Sequence, residues 1–190
     1  MRRWTRVRAA LALGAVLCVG TAGTWAYWTD TATVSGTTLT TGTLDIKLGA
    51  TAADAGADSL TSYAALSVTG MVPGSTTAGV ITVHNAGSAA FTYTVSSSAT
   101  SGTTALAAAL TTQVRVGGTV SGSGTSETCT GGTLLSDTGT LNGAVITTAR
   151  TLTAGDAETL CLQATLPTSA ASSLQGQTVS VQLTFSAVQA

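Results

Sequence analysis

Apolar residues recur at every second position through much of this chain, in short runs broken by glycine. Period two is the mark of half-buried strands. Near the C-terminus Val179, Val181, Leu183 and Phe185 alternate with Ser180, Gln182, Thr184 and Ser186. A second row, Leu160, Leu162, Ala164 and Leu166, predicts a strand over 159–166 and turns Cys161 to the opposite, outward face. Phe91, Tyr93 and Val95 form a third. Further strands are predicted at 80–83, ended by Asn85-Ala86-Gly87, at 144–148, and beginning with Val114 and Val116. A short strand over 63–69 precedes Val72-Pro73-Gly74-Ser75, where Pro presets φ and Gly supplies a positive φ. Upstream, Trp28, Ala32, Val34, Leu44, Ile46 and Leu48 share one face of an extended segment, which Gly36 and Gly42 allow to bend. Residues 49–62 read as a loop, 117–133 as a flexible Gly/Ser/Thr-rich loop, and 152–156 as a turn. The period changes at 103–111, where Leu106 and Leu110 lie four apart among alanines and predict a short helix across the sandwich. Residues 168–176 predict one helical turn. About eight strands and one or two short helices give the expected class: all-β, an antiparallel two-sheet sandwich of jelly-roll type.

The N-terminus breaks this pattern. Arg2, Arg3, Arg6 and Arg8 are four of the seven basic residues, and no charge follows from Ala9 to Ala26. A positive start, an apolar stretch and small residues at a cleavage point define a secretory signal peptide. Thr24 and Ala26 fit the small positions before the cut, so the mature chain is expected to start at Tyr27. The expected organisation is a signal peptide at 1–26, an extended segment at 27–42 and a β-sandwich domain at 43–190. The competing reading is an uncleaved signal anchor, since 18 uncharged residues just reach across a bilayer. Gly14, Gly20 and Gly23 make that stretch a poor permanent helix. Membrane attachment is expected only through an uncleaved signal.

Cys18 lies within the apolar stretch, behind Leu17 instead of the small residue a lipoprotein signal wants, and would leave with the signal. Cys129 and Cys161 remain. An even count in an exported chain predicts a disulfide, closing a loop of about 30 residues and contributing ~3–4 kcal/mol.

Charge changes the picture further. Only 8% of residues are charged, against about 25% in ordinary domains. The net charge is −1, or −5 once the four arginines leave with residues 1–26. This excludes a polybasic nucleic-acid binder and a charge-rich disordered tail. Catalytic chemistry finds little material. His84 is the only histidine, beside Asn85 at a strand end, and reads as a satisfied or solvated strand residue. A zinc peptidase needs a ligand cluster such as H-E-x-x-H, and no G-x-S-x-G elbow occurs. Asp54 and Asp58 offer two loop carboxylates where Ca²⁺ takes six to eight oxygens. The run Gly117-Gly118 to Gly124 lacks the lysine of a phosphate loop. No catalytic residue, metal or cofactor is expected, and the chain is not read as an enzyme.

The segment Gly23-Thr24-Trp25-Ala26-Tyr27-Trp28-Thr29-Asp30, followed by Gly42-Thr43-Leu44-Asp45-Ile46, closely resembles the export signal and mature N-terminus of the TasA/camelysin family of Gram-positive exported proteins. The likeness continues in the Pro73-Gly74 turn, the Asn85-Ala86-Gly87 strand end and the alternation through Phe185. The disulfide departs from the Bacillus members, so the chain looks more like Ala/Thr-rich actinobacterial relatives. The resemblance implies cleavage by a dedicated, endoplasmic-reticulum-type signal peptidase. It also implies a secreted jelly-roll subunit of an extracellular fibre, biofilm matrix or cell surface. Some camelysin relatives carry a metallopeptidase label, which the residues here do not support.

Two functions are carried forward: a self-associating structural subunit, and a monomeric secreted module binding carbohydrate or a surface partner. Few aromatics are left for a sugar platform once Phe91, Tyr93 and Phe185 are assigned to strands. For self-association the expected contact residues are Tyr27, Trp28, Asp30, Ala32 and Val34. Trp28, Ala32 and Val34 make an apolar face, interrupted by Asp30, that either enters a neighbouring subunit or folds back on its own domain.

Overall fold

The computed structural model describes Trp4, residues 42–51, 56–58 and 71–190. The strand predicted at 63–69 lies outside the described residues. Thr41–Ala190 forms one compact unit.

It is an all-β sandwich. The strands are β1 (Ile46–Gly49), β2 (Thr76–Asn85), β3 (Phe91–Gly102), β4 (Thr111–Val116), β5 (Thr119–Ser121), β6 (Thr128–Thr130), β7 (Thr133–Thr140), β8 (Ala144–Leu152), β9 (Ala157–Thr165) and β10 (Val179–Gln189). One sheet has the order β1-β2-β9-β4-β7, the other β10-β3-β8, and β5 pairs with β6. Every one of these strand pairs is antiparallel.

Alternation dictates the core. Phe91, Tyr93 and Val95 of β3 are buried against Val83 of β2, Val114 of β4 and Leu160 and Leu162 of β9. Burial of each large apolar side chain contributes ~1.5–3 kcal/mol. Helix α1 (Thr104–Ala109) lies where the change of period predicts it. It buries Leu106 and Ala107, with Leu110 just after, against Leu141, Ala164 and Leu166 in a second cluster. A single 3-10 turn, Ser172–Leu174, occupies the region predicted as one helical turn. The Val72–Ser75 turn forms too: Ser75 donates to the Val72 carbonyl at 2.8 Å, and Gly74 takes φ +95°.

The structure differs from the sequence expectation in three respects. The segment 117–133 is not a loose loop but holds the β5–β6 hairpin. β7 is an additional strand. β2 and β8 begin or continue well beyond their apolar runs, into Thr76–Gly79 and Thr147–Thr151. Threonine explains all three. It is polar, so it breaks an apolar alternation, yet its β-branched carbon favours extended backbone.

The hairpin lies on the outer face of the larger sheet. Cys129 of β6 is disulfide-bonded to Cys161 of β9, with Cα atoms 5.8 Å apart. Cys161 does face away from the main core as predicted, but it is fully buried, under the hairpin, with Ala78 and Val80 beside it. Cys129 N–H donates to Gln163 Oε1 at 2.9 Å, and Arg115 Nη1 donates to the Gly131 carbonyl at 3.1 Å.

Candidate assembly edge

Each sheet of an open sandwich presents two edges, and an unprotected edge is a template for another strand. Among the described residues the four edges of the two sheets are β1, β7, β8 and β10. β1 is four residues long, carries Lys47, and is bridged by Ala57, which exchanges hydrogen bonds with Leu48 at 2.8 and 2.9 Å. The ladder of β7 to β4 is broken by two register shifts. β8 also pairs with β3 through two register shifts, and the short 141–143 connection ties it to β7. These are the usual devices that discourage pairing.

β10 has none of them along most of its length. It is eleven residues long, with no charge and no proline. Its pairing to β3 shifts once, between Ser180 and Val181, and then runs regularly to Gln189↔Phe91. Its inward row is also less covered than its neighbour's. Phe91, Tyr93 and Val95 of β3 are 0%, 1% and 3% exposed, whereas Val181, Leu183, Phe185 and Ala187 are only half-buried. An apolar cleft between the sheets is lined by Leu183 and Phe185 together with Val95, Ile81 and Leu160.

One end of this edge is held by polar chemistry. Glu158 sits in the inward register of β9, two residues before Leu160. Its carboxylate accepts from Tyr93 Oη at 2.5 Å and from Arg150 Nε at 2.6 Å, and pairs with Arg150 Nη2. Tyr93 and Arg150 belong to the smaller sheet and Glu158 to the larger, so the trio joins the sheets. Burial opposes ionisation of Glu158, but the hydrogen bonds from Arg150 and Tyr93 outweigh it and hold the carboxyl below its usual range. Burial, then the Glu158 carboxylate, pushes the Tyr93 hydroxyl far above its usual range. The Tyr93 ring lies 6.3 Å from that of Phe185 on β10.

The chain joins the sandwich at the same end. Thr43 N–H donates to Ser88 Oγ at 2.9 Å, and the Thr43 carbonyl accepts from Ser88 N–H at 2.9 Å. A Cβ on Gly42 would fall 2.8 Å from Ala89 Cβ, so only glycine passes there. One residue further, the Ala90 carbonyl accepts from Ala190 N–H at 3.1 Å, just after β10 ends. Buried Asn85 braces this corner: Nδ2 donates to the Ala89 and Leu152 carbonyls at 2.9 and 3.0 Å, and Oδ1 accepts from Gly87 N–H at 3.0 Å. That is the physical content of the predicted Asn-Ala-Gly strand end.

Of the residues singled out from sequence, Cys129 and Cys161 are brought together. Thr24, Ala26, Tyr27, Trp28, Asp30, Ala32 and Val34 lie outside the described residues, as does Asp54. Asp58 holds Lys47 Nζ at 2.6 Å, with Asp45 at 3.5 Å from the same ammonium. The Asp58 hydrogen bond is the main cause raising the lysine pKa. His84 is neither solvated nor satisfied at Nε2: that atom is shielded and has no hydrogen-bond partner among the described residues. Gly56 lies close to the ring: a Cβ there would fall 3.1 Å from the imidazole Cδ2. Among the described residues no three His, Cys, Asp or Glu side chains gather as a metal site, and no helix is long and apolar enough to cross a membrane. The trio around Glu158 escapes the apolar pattern, although parity from Leu160 and Leu162 already turns Glu158 inward, where a carboxylate needs a partner. No family model matches this chain, and no curated protein matches it.

Proposed function

We propose that this protein is a secreted structural subunit of an extracellular fibre or matrix, without enzymatic activity, that joins its neighbours by strand addition. The donor is the mature N-terminal segment, residues 27–40, and the acceptor is the edge of β10, which pairs with β3 alone among the described residues. The observation that carries this reading is the contrast among the four edges: three are short, charged or irregular, and the longest is uncharged and regular over half-buried apolar side chains.

Strand addition draws affinity from main-chain hydrogen bonds and specificity from alternate side chains. Trp28, Ala32 and Val34 supply such an alternate row, and burying Trp28 alone is worth ~1.5–3 kcal/mol. Direction favours donation over folding back. Gly42 lies at the end where β10 finishes, so a preceding segment laid along its own β10 would run parallel to it. A segment from another molecule is free to pair antiparallel, which is the more stable ladder per residue. Donation from head to tail does not close on itself and grows a filament.

A chain beginning at Thr41 should keep its β-type circular dichroism but sediment as a monomer, while the mature chain assembles. Trp28→Asp should slow assembly at least tenfold. Filament growth by the Thr41 form at the wild-type rate would contradict the reading.

A further inference from the structure

The outer face of the smaller sheet is a row of short, mostly hydroxyl-bearing side chains. Bulge-free register from Val181 to Gln189 places Ser96 beside Thr184, Thr94 beside Ser186 and Thr92 beside Val188. Of these, Ser96, Thr184, Ser186 and Val188 are exposed. Ala144 and Thr151 of β8 continue the Ser96 and Thr92 rows. Among the described residues no charged side chain lies on this face. Arg150, the one charge on its strands, turns inward to Glu158. Asp45, Lys47 and Asp58 cluster at β1 of the larger sheet. Glu127 is in the hairpin on that sheet's far side, hydrogen-bonded to Ala78 N–H.

We propose that this hydroxyl face is a lateral contact, and that its partner is the same face of a second copy of this chain in a neighbouring filament. The mature chain is net negative, so copies repel unless their charges stay apart. Sheets pack about 10 Å apart, so two molecules meeting on this face keep the acids of their larger sheets some 20 Å or more apart, beyond the ~8 Å Debye length at physiological salt. Hydroxyls suit a two-fold contact, because each is both donor and acceptor. Short side chains also lose less rotamer entropy on contact than Lys or Glu. Three strands about 4.8 Å apart and eleven residues of about 3.3 Å each give a face of ~500 Å², hence ~1,000 Å² per pair. That is the lower limit for a specific interface. Free molecules therefore associate weakly, and filaments, which repeat the face, associate strongly through multivalency. The bundling rests on the filament reading above; the weak pairing of free molecules does not.

The test compares the mature chain with Ser96→Lys/Thr151→Lys, whose lysines sit on β3 and β8 and leave the β10 edge untouched, and with the control Ser96→Thr/Thr151→Ser. Electron microscopy should show bundles for wild type and control, and single filaments of unchanged growth rate for the lysine form, whose thermal stability is retained. Bundling by the lysine form, wild-type filaments that stay single, or bundling only when a neutral polysaccharide is added would overturn the inference. If the wild-type chain makes no filaments, the proposed function fails, and the face is read by sedimentation near 1 mM. Dimerisation lost in the lysine form then supports the contact, and a wild-type monomer at that concentration overturns it.

Discussion

Replacing Arg150 with methionine isolates the clamp between the sheets. The guanidinium makes two contacts to Glu158, whose side chain is only 13% exposed. Met retains much of the arginine stem's packing but leaves the carboxylate with Tyr93 as its only described hydrogen-bond donor. Breaking a fully buried pair costs about 3–5 kcal/mol. Arg150 is 28% exposed, so water replaces part of the loss, and we expect ~2–3 kcal/mol at pH 7. For a unit of this size that is ~5–10 °C in Tm. The sign of the pH dependence follows from the depressed Glu158 pKa. The stability it contributes is complete above the unfolded value of 4.5 and fades as pH falls through the lower folded value. In Arg150→Met the counter-charge is gone and burial remains, so the carboxyl titrates higher and protonation relieves the variant. The gap between wild type and variant should therefore narrow on moving from pH 7 to pH 3. Urea unfolding followed by tryptophan-independent circular dichroism at both pH values measures it. A cost below ~0.5 kcal/mol at pH 7, or a gap that does not change with pH, would refute the reasoning.

Other outcomes follow from the same geometry. Asn85→Ala removes three hydrogen bonds from a buried corner and should cost ~2–4 kcal/mol, read as a lower urea midpoint with unchanged slope. Alkylation of the native protein should find no free thiol at Cys129 or Cys161, and reduction should lower Tm; quantitative labelling without reductant would count against the bridge. N-terminal sequencing of the secreted protein should begin at Tyr27, and a retained 1–26 segment in washed membranes would show an anchor instead.

The parts of the fold that show in the sequence are those where apolar and polar residues alternate against a dry core: β3, β9 and β10, and the change of period at Leu106 and Leu110. The parts that do not are threonine-rich. In Thr119–Ser121 and Thr133–Thr140 extended backbone is favoured by branched side chains and by pairing with distant strands, and neither leaves a period-two apolar signal. Only the lone Cys129 marks the hairpin. The Glu158 trio is distributed over β3, β8 and β9, at sequence separations of 65 and 8, so its charges meet only once the sheets stack. The β10 strand is legible in composition, as eleven residues without charge, but its status as an edge depends on strand order. Strand order is set by long-range pairing such as Val179↔Gly102, which local pattern does not encode.

Amide hydrogen exchange on free and assembled protein, resolved along each edge strand, tests the acceptor assignment most directly. The account predicts that assembly slows exchange at alternate amides of Val179–Gln189, those pointing away from β3, while the amides of β1, β7 and β8 keep their monomer rates. New protection at one of those three edges, with β10 unchanged, would contradict it.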